Sequence, residues 1–471
     1  MQETLKVAEP EIKSGATNYF FIVGITLVAA LGGLLFGYDT AVISGAIGPL
    51  REYFNLSAAE MGWAASSAQF GCMFGAAIAG WWSNRFGRRQ AMLLAAVLFS
   101  ISAVGSGLAD NFTMFSIYRI VGGVGVGLAS MVSPLYIAEM APAEMRGKLV
   151  ACNQFAIIFG MLVVYFVNYG IAVQGDAVWN VNMGWRYMFG SETIPALAFF
   201  IMLFFVPESP RWLVMKNRDE QASQVLQKIG DVSLISAKIA EIRDSLSDKA
   251  GKKIRVNYRN MKVVWVIFVG VCISIFQQIT GINVFLYFAP EIFKNMGSGA
   301  DSAMLQTIIV GAVNLSFTVV AIYTVDKVGR KPLMLIGALG MGICITAIGF
   351  AAYFENTAGY LLIFVLGYIA CFAVSLGPVT WVLLSEIFPN KLRGTGMAIA
   401  VAAQWISNAL VAQTFPMMME NETLDQQFHG GFPFWVYGLM CFVTIAFIYK
   451  CVPETKGKSL EEMEELWDLK D

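Results

Sequence analysis

The chain has 471 residues, of which 57% are hydrophobic and 14% charged, with a formal net charge of −1 and a mean hydropathy of +0.63. A soluble multidomain protein of this length carries far more surface charge, so the composition is that of a polytopic helical membrane protein. It offers no basic surface for nucleic acid, and with His429 as its one histidine a histidine-based metal centre is not expected.

Met1 to Asn18 is polar and mixed in charge, and the first apolar run, 19–38, is long enough to span a bilayer. It ends in Gly37-Tyr38-Asp39 with no small-residue cleavage pattern, so it reads as a retained membrane helix, not a secretory signal. Further spans are expected at 61–82, 90–109, 113–137, 149–172 and 187–206, then at 262–290, 303–325, 332–353, 360–386, 393–417 and 432–452. The fold expected is therefore an all-α membrane protein of about twelve transmembrane helices, with short loops joining antiparallel neighbours. The cysteines are scattered, without a C-x-x-C pair, and read as small core residues. Gly122 to Gly127 superficially suggests a dinucleotide loop, but it lies inside a span with no strand before it, and reads as a helix-packing face. No Ser/His/Asp or Cys/His set is available for nucleophilic catalysis, so an enzyme is not expected.

Between the sixth and seventh spans, 207–260 is polar, with Val225, Leu226, Ile229, Ile235, Ile239, Ile242 and Leu246 at helical spacing. Short amphipathic helices lying beneath the bundle are the expected form. If the N-terminus is cytoplasmic, the opposite face carries few basic residues beyond Arg51, Arg186 and Lys294. The near face holds Arg85, Arg88, Arg89, Arg146, Lys148, Lys327, Arg330, Lys331, Lys391 and Arg393. This is the positive-inside pattern, with both termini cytoplasmic.

Motifs recur about 245 residues apart. Asn84-Arg85-Phe86-Gly87-Arg88-Arg89 returns as Asp326-Lys327-Val328-Gly329-Arg330-Lys331, and Ala138-Glu139…Arg146-Gly147 as Ser385-Glu386…Arg393-Gly394. Pro207-Glu208-Ser209-Pro210 returns as Pro453-Glu454-Thr455-Lys456. Six spans thus repeat as six on the same side. The expected domains are a first half, 1–206, a linker, 207–260, a second half, 261–452, and a tail, 453–471. Parallel halves of this kind hold a substrate between them near mid-membrane.

The stretch Phe276-Gln277-Gln278-Ile279-Thr280-Gly281-Ile282-Asn283 lies inside the seventh apolar run. An unpaired amide in hydrocarbon costs roughly 2–7 kcal/mol, so these side chains need polar, uncharged partners. Successive helical residues point about 100° apart, and a loosening of the helix at Thr280-Gly281 would turn several amides toward one cavity. The competing reading is polar glue between helices.

Taken together, Gly37-Tyr38-Asp39, the paired Gly-Arg-Arg and Gly-Arg-Lys loops, Pro207-Glu208-Ser209-Pro210-Arg211, Gln277-Gln278-x-x-Gly281-Ile282-Asn283 and Pro453-Glu454-Thr455-Lys456-Gly457 resemble the sugar porter family of the major facilitator superfamily over nearly the whole chain. Asn153 to Gly160 and Trp381 to Asn390 are similar to its bacterial proton-coupled D-xylose members. Asn84 departs from the Asp common at that position in the wider superfamily. The resemblance implies alternating access, a monosaccharide and a proton as partners, no cofactor, a monomer, and a bacterial inner membrane location.

The resemblance also places Gln154, Gln277, Gln278, Asn283, Trp381 and Gln404 on the sugar cavity wall. Phe36, Tyr287 and Phe372 are expected there as apolar or gating walls, with Gly377-Pro378 breaking the tenth span. Primary amides suit a sugar because each donates and accepts without a charge to desolvate. Met161, two turns beyond Gln154 on the same face, is apolar and is expected to trim which sugar fits.

Asp39 at the end of the first span and Arg119 inside the fourth are charges at costly depth, expected to pair. By resemblance, protonation of Asp39 breaks the pair and couples proton entry to sugar, with Glu192 as a second carboxylate tuning it. A driving force of about 150 mV supplies roughly 3.5 kcal/mol per proton, enough for a few hundredfold accumulation. Glu139, Arg146, Glu386 and Arg393, with Arg88 and Arg330, are expected to form a cytoplasmic gate of ion pairs between the halves. The alternatives are a facilitative carrier without proton coupling, a membrane sugar receptor that does not transport, and a drug exporter. The last would favour an aromatic cavity over clustered amides.

Overall fold

The computed structural model describes residues 18–142, 145–230, 235–251, 261–355, 360–388, 392–456 and 467. Met1 to Thr17, the Pro389-Asn390-Lys391 stretch and the tail beyond Lys456, Trp467 apart, lie outside these residues, as do the side chains of Leu246 and Arg393.

The first run is longer than the sequence suggests. Helix α1 (Tyr19–Ala41), capped by the Asn18 side chain, continues after Val42 as α2 (Ile43–Phe54). Asp39, expected to close the span, instead lies inside a helical run of 36 residues and is fully buried. Helix continues past it because its charge has a buried partner, described below. At about 1.5 Å per residue the run outreaches a hydrocarbon core of about 30 Å, so its far end stands clear of the membrane.

A Ser57–Glu60 capping box starts α3 (Ala58–Phe86). It is followed by α4 (Arg88–Gly107), α5 (Phe112–Met140), α6 (Arg146–Ala172), a short α7 (Ala177–Trp179), a π-helical segment Asn180–Gly184, α8 (Trp185–Ser191) and α9 (Thr193–Met202). The insert folds as α10 (Pro210–Met215), α11 (Asp219–Ile229) and α12 (Ile235–Gly251). Its Val225, Ile229 and Ile235 are buried, and the Asn18 amide donates to Ile229 O at 3.0 Å, which pins the insert under α1.

The remaining helices are α13 (Met261–Ile279), α14 (Ile282–Asn295), α15 (Ala300–Val328), α16 (Arg330–Tyr353), α17 (Tyr360–Val374), α18 (Leu376–Ile387), α19 (Arg393–Met419), α20 (Glu422–Phe428) and α21 (Phe432–Cys451). Among the described residues, ten helical runs are long and apolar enough to cross a membrane, and α3 together with the α8–α9 pair completes the twelve crossings. Both ends of the bundle's chain therefore emerge on one side, called inner here, with α10–α12.

Small residues let the helices meet at backbone distance. A Cβ on Gly71, Gly75, Gly123 or Gly127 would collide with the facing backbone across α3 and α5, so the glycine-rich segment is a packing face. Gly37 and Gly160 bring α1 onto α6 in the same way. Cys72 and Cys441 are buried as expected, Cys152 is exposed, and all the cysteines are free.

The helices before and after the insert meet where α3 packs on α19, α6 on α15 and α2 on α14. Since α15 repeats α3 and α19 repeats α6, the first two contacts are one pairing viewed from either side. Two spans facing this seam are broken. Gly281, at φ +92°, separates α13 from α14, as the sequence suggested. The tenth span breaks at Ser375, just ahead of Gly377-Pro378.

Candidate functional site

The break at Gly281 resolves the problem of the two adjacent glutamines. Gln277 Nε2 donates to Leu376 O at 2.9 Å and Gly377 O at 3.0 Å, carbonyls at the start of α18. Gln278 Nε2 donates to Gln277 Oε1 at 3.2 Å, and Asn283 Nδ2 to Gln278 Oε1 at 2.5 Å. The carbonyl of Thr280 accepts from the Tyr368 hydroxyl at 2.8 Å, so the break strands no backbone group there. The result is a buried chain of neutral amides spanning two broken helices. One N–H on each of Gln278 and Asn283, and the Asn283 carbonyl oxygen, are left over to trade hydrogen bonds with hydroxyls.

The other expected wall residues lie around the seam without bonding to this chain. Gln154 is half-buried, roughly two turns into α6. Gln404 on α19 is buried, and its Oε1 has no hydrogen-bond partner. Trp381 and Phe36 pack into one apolar cluster with Trp405, and Phe36 and Trp405 lie 5.7 Å apart between ring centroids. Phe372 sits against Gly377, and the Tyr287 hydroxyl is hydrogen-bonded to Asn408. Met161 is buried beside Gly37. Sequence reasoning missed Trp405, whose buried indole N–H lacks a partner, and Asn408. Both carry the signal applied to Gln277, a polar group in an apolar span.

The charged cluster is separate. Arg119 Nη1 donates to Asp39 Oδ1 at 2.6 Å and Nη2 to the Asp39 carbonyl at 3.0 Å, both fully inside the bundle. The guanidinium lies 5.3 Å from the Phe189 ring, and Gly122 keeps α5 close enough to Asp39 for this reach. Glu192, between α8 and α9, lies against the same pair. Both its oxygens and Asp39 Oδ2 are buried without a donor. Tyr38 and Ser191, the neighbours of the two acids, share a hydrogen bond of 2.8 Å. One guanidinium balances one carboxylate. The second buried carboxylate has no countercharge of its own among the described residues.

On the inner side the repeat is built twice in three dimensions. Gly87 and Gly329 turn at φ +112° and +104°, and a side chain on either would meet the carboxylate of Glu208 or Glu454. Those carboxylates cap the next helix. Glu208 accepts from the amides of Arg88 (3.0 Å) and Arg89 (3.1 Å), and Glu454 from Arg330 (3.0 Å) and Lys331 (2.9 Å). Burial pushes the Glu208 carboxyl up against the pull of its amide donors. At Glu454 burial also acts upward, but the amides of Lys456, Arg330 and Lys331 prevail and hold it below the ordinary value.

Arg88 pairs with Glu139 at 2.9 Å and Arg330 with Glu386 at 2.8 Å. Ser209 and Thr455 donate to the same two glutamates. Asn84 accepts from Arg88 where Asp326 pairs with Arg330.

In this outer-closed state the expected gate residues do not pair between the halves, as a gate open on the inner side requires. Arg88–Glu139 and Arg330–Glu386 each close within one set of helices, not between the two. Arg146 is exposed, with no ion pair among the described residues. The links across the seam are on the outer side instead. Arg51 pairs with Glu420 at 2.6 Å, Ser66 donates to Gln413 Oε1 at 3.0 Å, and Gln413 Nε2 donates to Ala59 O at 2.8 Å. The Tyr165 hydroxyl donates to Leu286 O at 3.0 Å. The structure is a state bound shut on its outer side.

Twelve crossings in two repeated sets, with a buried charge cluster in the first set and a buried amide chain in the second, define a membrane carrier of the major facilitator type. Residues 25–467 match the family described as sugar (and other) transporter, and the chain belongs to that family. It is 54% identical to the D-xylose-proton symporter of Escherichia coli (strain K12), with 96% of each chain covered. It is 39% identical to the arabinose-proton symporter of Bacillus subtilis (strain 168), covering 99% of this chain and 100% of that one. Among solved structures, the inward-open xylose transporter XylE from E. coli superposes with a TM-score of 0.84 at 52% identity, covering 95% of this chain and 100% of that one. The likeness to an inward-open structure agrees with the bonds that close the outer side.

Proposed function

We propose that the chain is a proton-coupled monosaccharide importer, with D-xylose as its sugar, working by alternating access in a bacterial inner membrane. In this reading 1–206 and 261–452 are the two moving halves, 207–260 a cytoplasmic linker and 453–471 a cytoplasmic tail. The inner side is then the cytoplasm, consistent with its basic residues. Gln154, Gln277, Gln278, Asn283, Trp381 and Gln404 bind the sugar, with Phe36, Tyr287, Phe372 and Gly377 shaping its walls. Asp39, Arg119 and Glu192 carry the proton.

The observation that carries the reading is the Asp39–Arg119–Glu192 cluster, one positive group against two buried acids. A facilitative carrier has no use for that imbalance, whereas a symporter needs a site whose charge changes by one proton per cycle. When the proton arrives, the cluster is neutral and the halves can rearrange around bound sugar. When it leaves toward the cytoplasm, Asp39 returns to Arg119. The inner Arg88–Glu139 and Arg330–Glu386 clusters fasten helix ends within each half, so each half moves as a body.

The test is a panel of labelled sugars in proteoliposomes, each with and without an imposed pH gradient. Accumulation of D-xylose above equilibrium only with the gradient supports the reading. Equilibration alone, gradient or not, defeats it in favour of facilitated diffusion. Binding without flux would make the chain a receptor.

A further inference from the structure

Gln69 is a polar residue that neither the sugar wall nor the charge cluster uses. It lies on α3, 2% exposed, between Ala68 and Phe70, where an amide needs partners. In the orientation that satisfies its donors and its acceptor, Nε2 donates to Ser66 O at 3.0 Å and to Ala65 O, and Oε1 accepts from the Tyr287 hydroxyl at 3.1 Å. That hydroxyl accepts in turn from Asn408 Nδ2 at 3.2 Å. A hydroxyl has one hydrogen to give, so the chain runs one way, from Asn408 through Tyr287 to Gln69. It begins on α19, passes through α14 and ends on α3, which means it crosses the seam between the halves.

The packing beside it is incomplete. A hollow of about 40 Å³ lies between α3 and α19, lined by Gln69, Phe70, Met73, Trp405 and Ala409 among others. The packing of α3 on α19 thus leaves a small gap beside Gln69, where the hydrogen bonds add to what side-chain contact supplies. Tyr287 belongs to α14, the segment beyond the Gly281 break, which is the part of its span able to tilt apart from α13.

We propose that Gln69 is a positioning residue for transport: through Tyr287 it holds α14 against α3 and sets how readily the sugar path opens to the outside. This rests on the alternating-access reading above. Removing the acceptor leaves a buried hydroxyl without its partner and weakens the outer-closed state relative to the outer-open one. One net hydrogen bond corresponds to roughly a fivefold shift in that balance.

The test uses Gln69→Met, which keeps length and removes the amide, in the full chain reconstituted in liposomes. The external KM for D-xylose is expected to fall by roughly fivefold, without a matching gain in kcat. Backbone amide exchange in 282–295, measured without sugar, is expected to quicken. In a Tyr287→Phe background the same substitution is expected to have no further effect, because both break one bond. Unchanged KM and exchange, or effects that simply add, would overturn the proposal. If Gln69→Met does not reach the membrane, Gln69→Leu is read by the same criteria. A wild-type chain that carries no D-xylose would instead sink the transport reading, while the exchange measurement would still report on the bond.

Discussion

Gly37-Tyr38-Asp39 and Gly281-Ile282-Asn283 stand about 245 residues apart, the spacing of the other repeated motifs, yet they do opposite chemistry. In the first, Asp39 is ionically tied to Arg119 and the helix runs on unbroken. In the second, Asn283 is tied to a neutral glutamine and the helix breaks at the glycine. The cause lies in what each glycine faces. Gly37 is pressed against the Ile157 carbonyl, so α1 has no room to bend there, while Gly281 takes a left-handed conformation beside Tyr437. One half thus holds a titratable cluster in a rigid helix, and the other holds amides, which do not titrate, beside a hinge. In the proposed reading the proton is carried by the first half and the amide chain for sugar by the second, so their coupling passes through the seam.

The largest effect expected from breaking this division is at Asp39. Asp39→Asn leaves one acid and one guanidinium, a cluster neutral without a proton. Uphill uptake is expected to fall by about a hundredfold or more, with sugar counterflow spared. Truncation on the other side is expected to do the reverse. Asn283→Ala or Gln278→Ala removes hydrogen bonds to sugar and raises KM by roughly ten- to a hundredfold, while the sugar that does enter remains proton-coupled.

Gly281→Ala sharpens the conformational half of the comparison. It strains a left-handed residue and drives a methyl into the Tyr437 ring, so a loss of about 1–3 kcal/mol is expected, read as a lower melting temperature. The smallest effects are at the two inner caps. The Glu454 carboxyl, held low in the folded state, contributes stability above its unfolded value that is lost as pH falls through the folded one. The Glu208 carboxyl, pushed up by burial, contributes in the opposite sense, its share being lost as pH rises through its folded value. Melting curves between about pH 4 and 7 are therefore expected to shift in opposite directions for Glu454→Gln and Glu208→Gln relative to the parent.

Much of this was legible in the sequence. Hydropathy places the spans because hydrocarbon tolerates only satisfied backbone, and the repeated Gly-Arg, Glu and Pro-Glu motifs mark equivalent inner corners. The helix break at Thr280-Gly281 follows from two amides needing one side. Asp39 as a helix end was misplaced because a charge in an apolar run reads as a boundary until its partner, 80 residues away, is seen beside it. Sequence places Arg88 and Glu139 at the inner end of the first half and Arg330 and Glu386 at that of the second, but does not show that in this state each arginine pairs within its own half. Gln69 escaped notice since a lone amide carries no motif, and only its distance to Tyr287 gives it a role.

The most direct measurement is of proton movement driven by sugar alone. Xylose added outside unenergised proteoliposomes is expected to draw protons inward with it, seen as alkalinisation of the outer medium. With Asp39→Asn the sugar should still enter and the pH should stay flat. Sugar entry in the parent without a pH change, or an undiminished change in the variant, would contradict the assignment of the proton to this cluster.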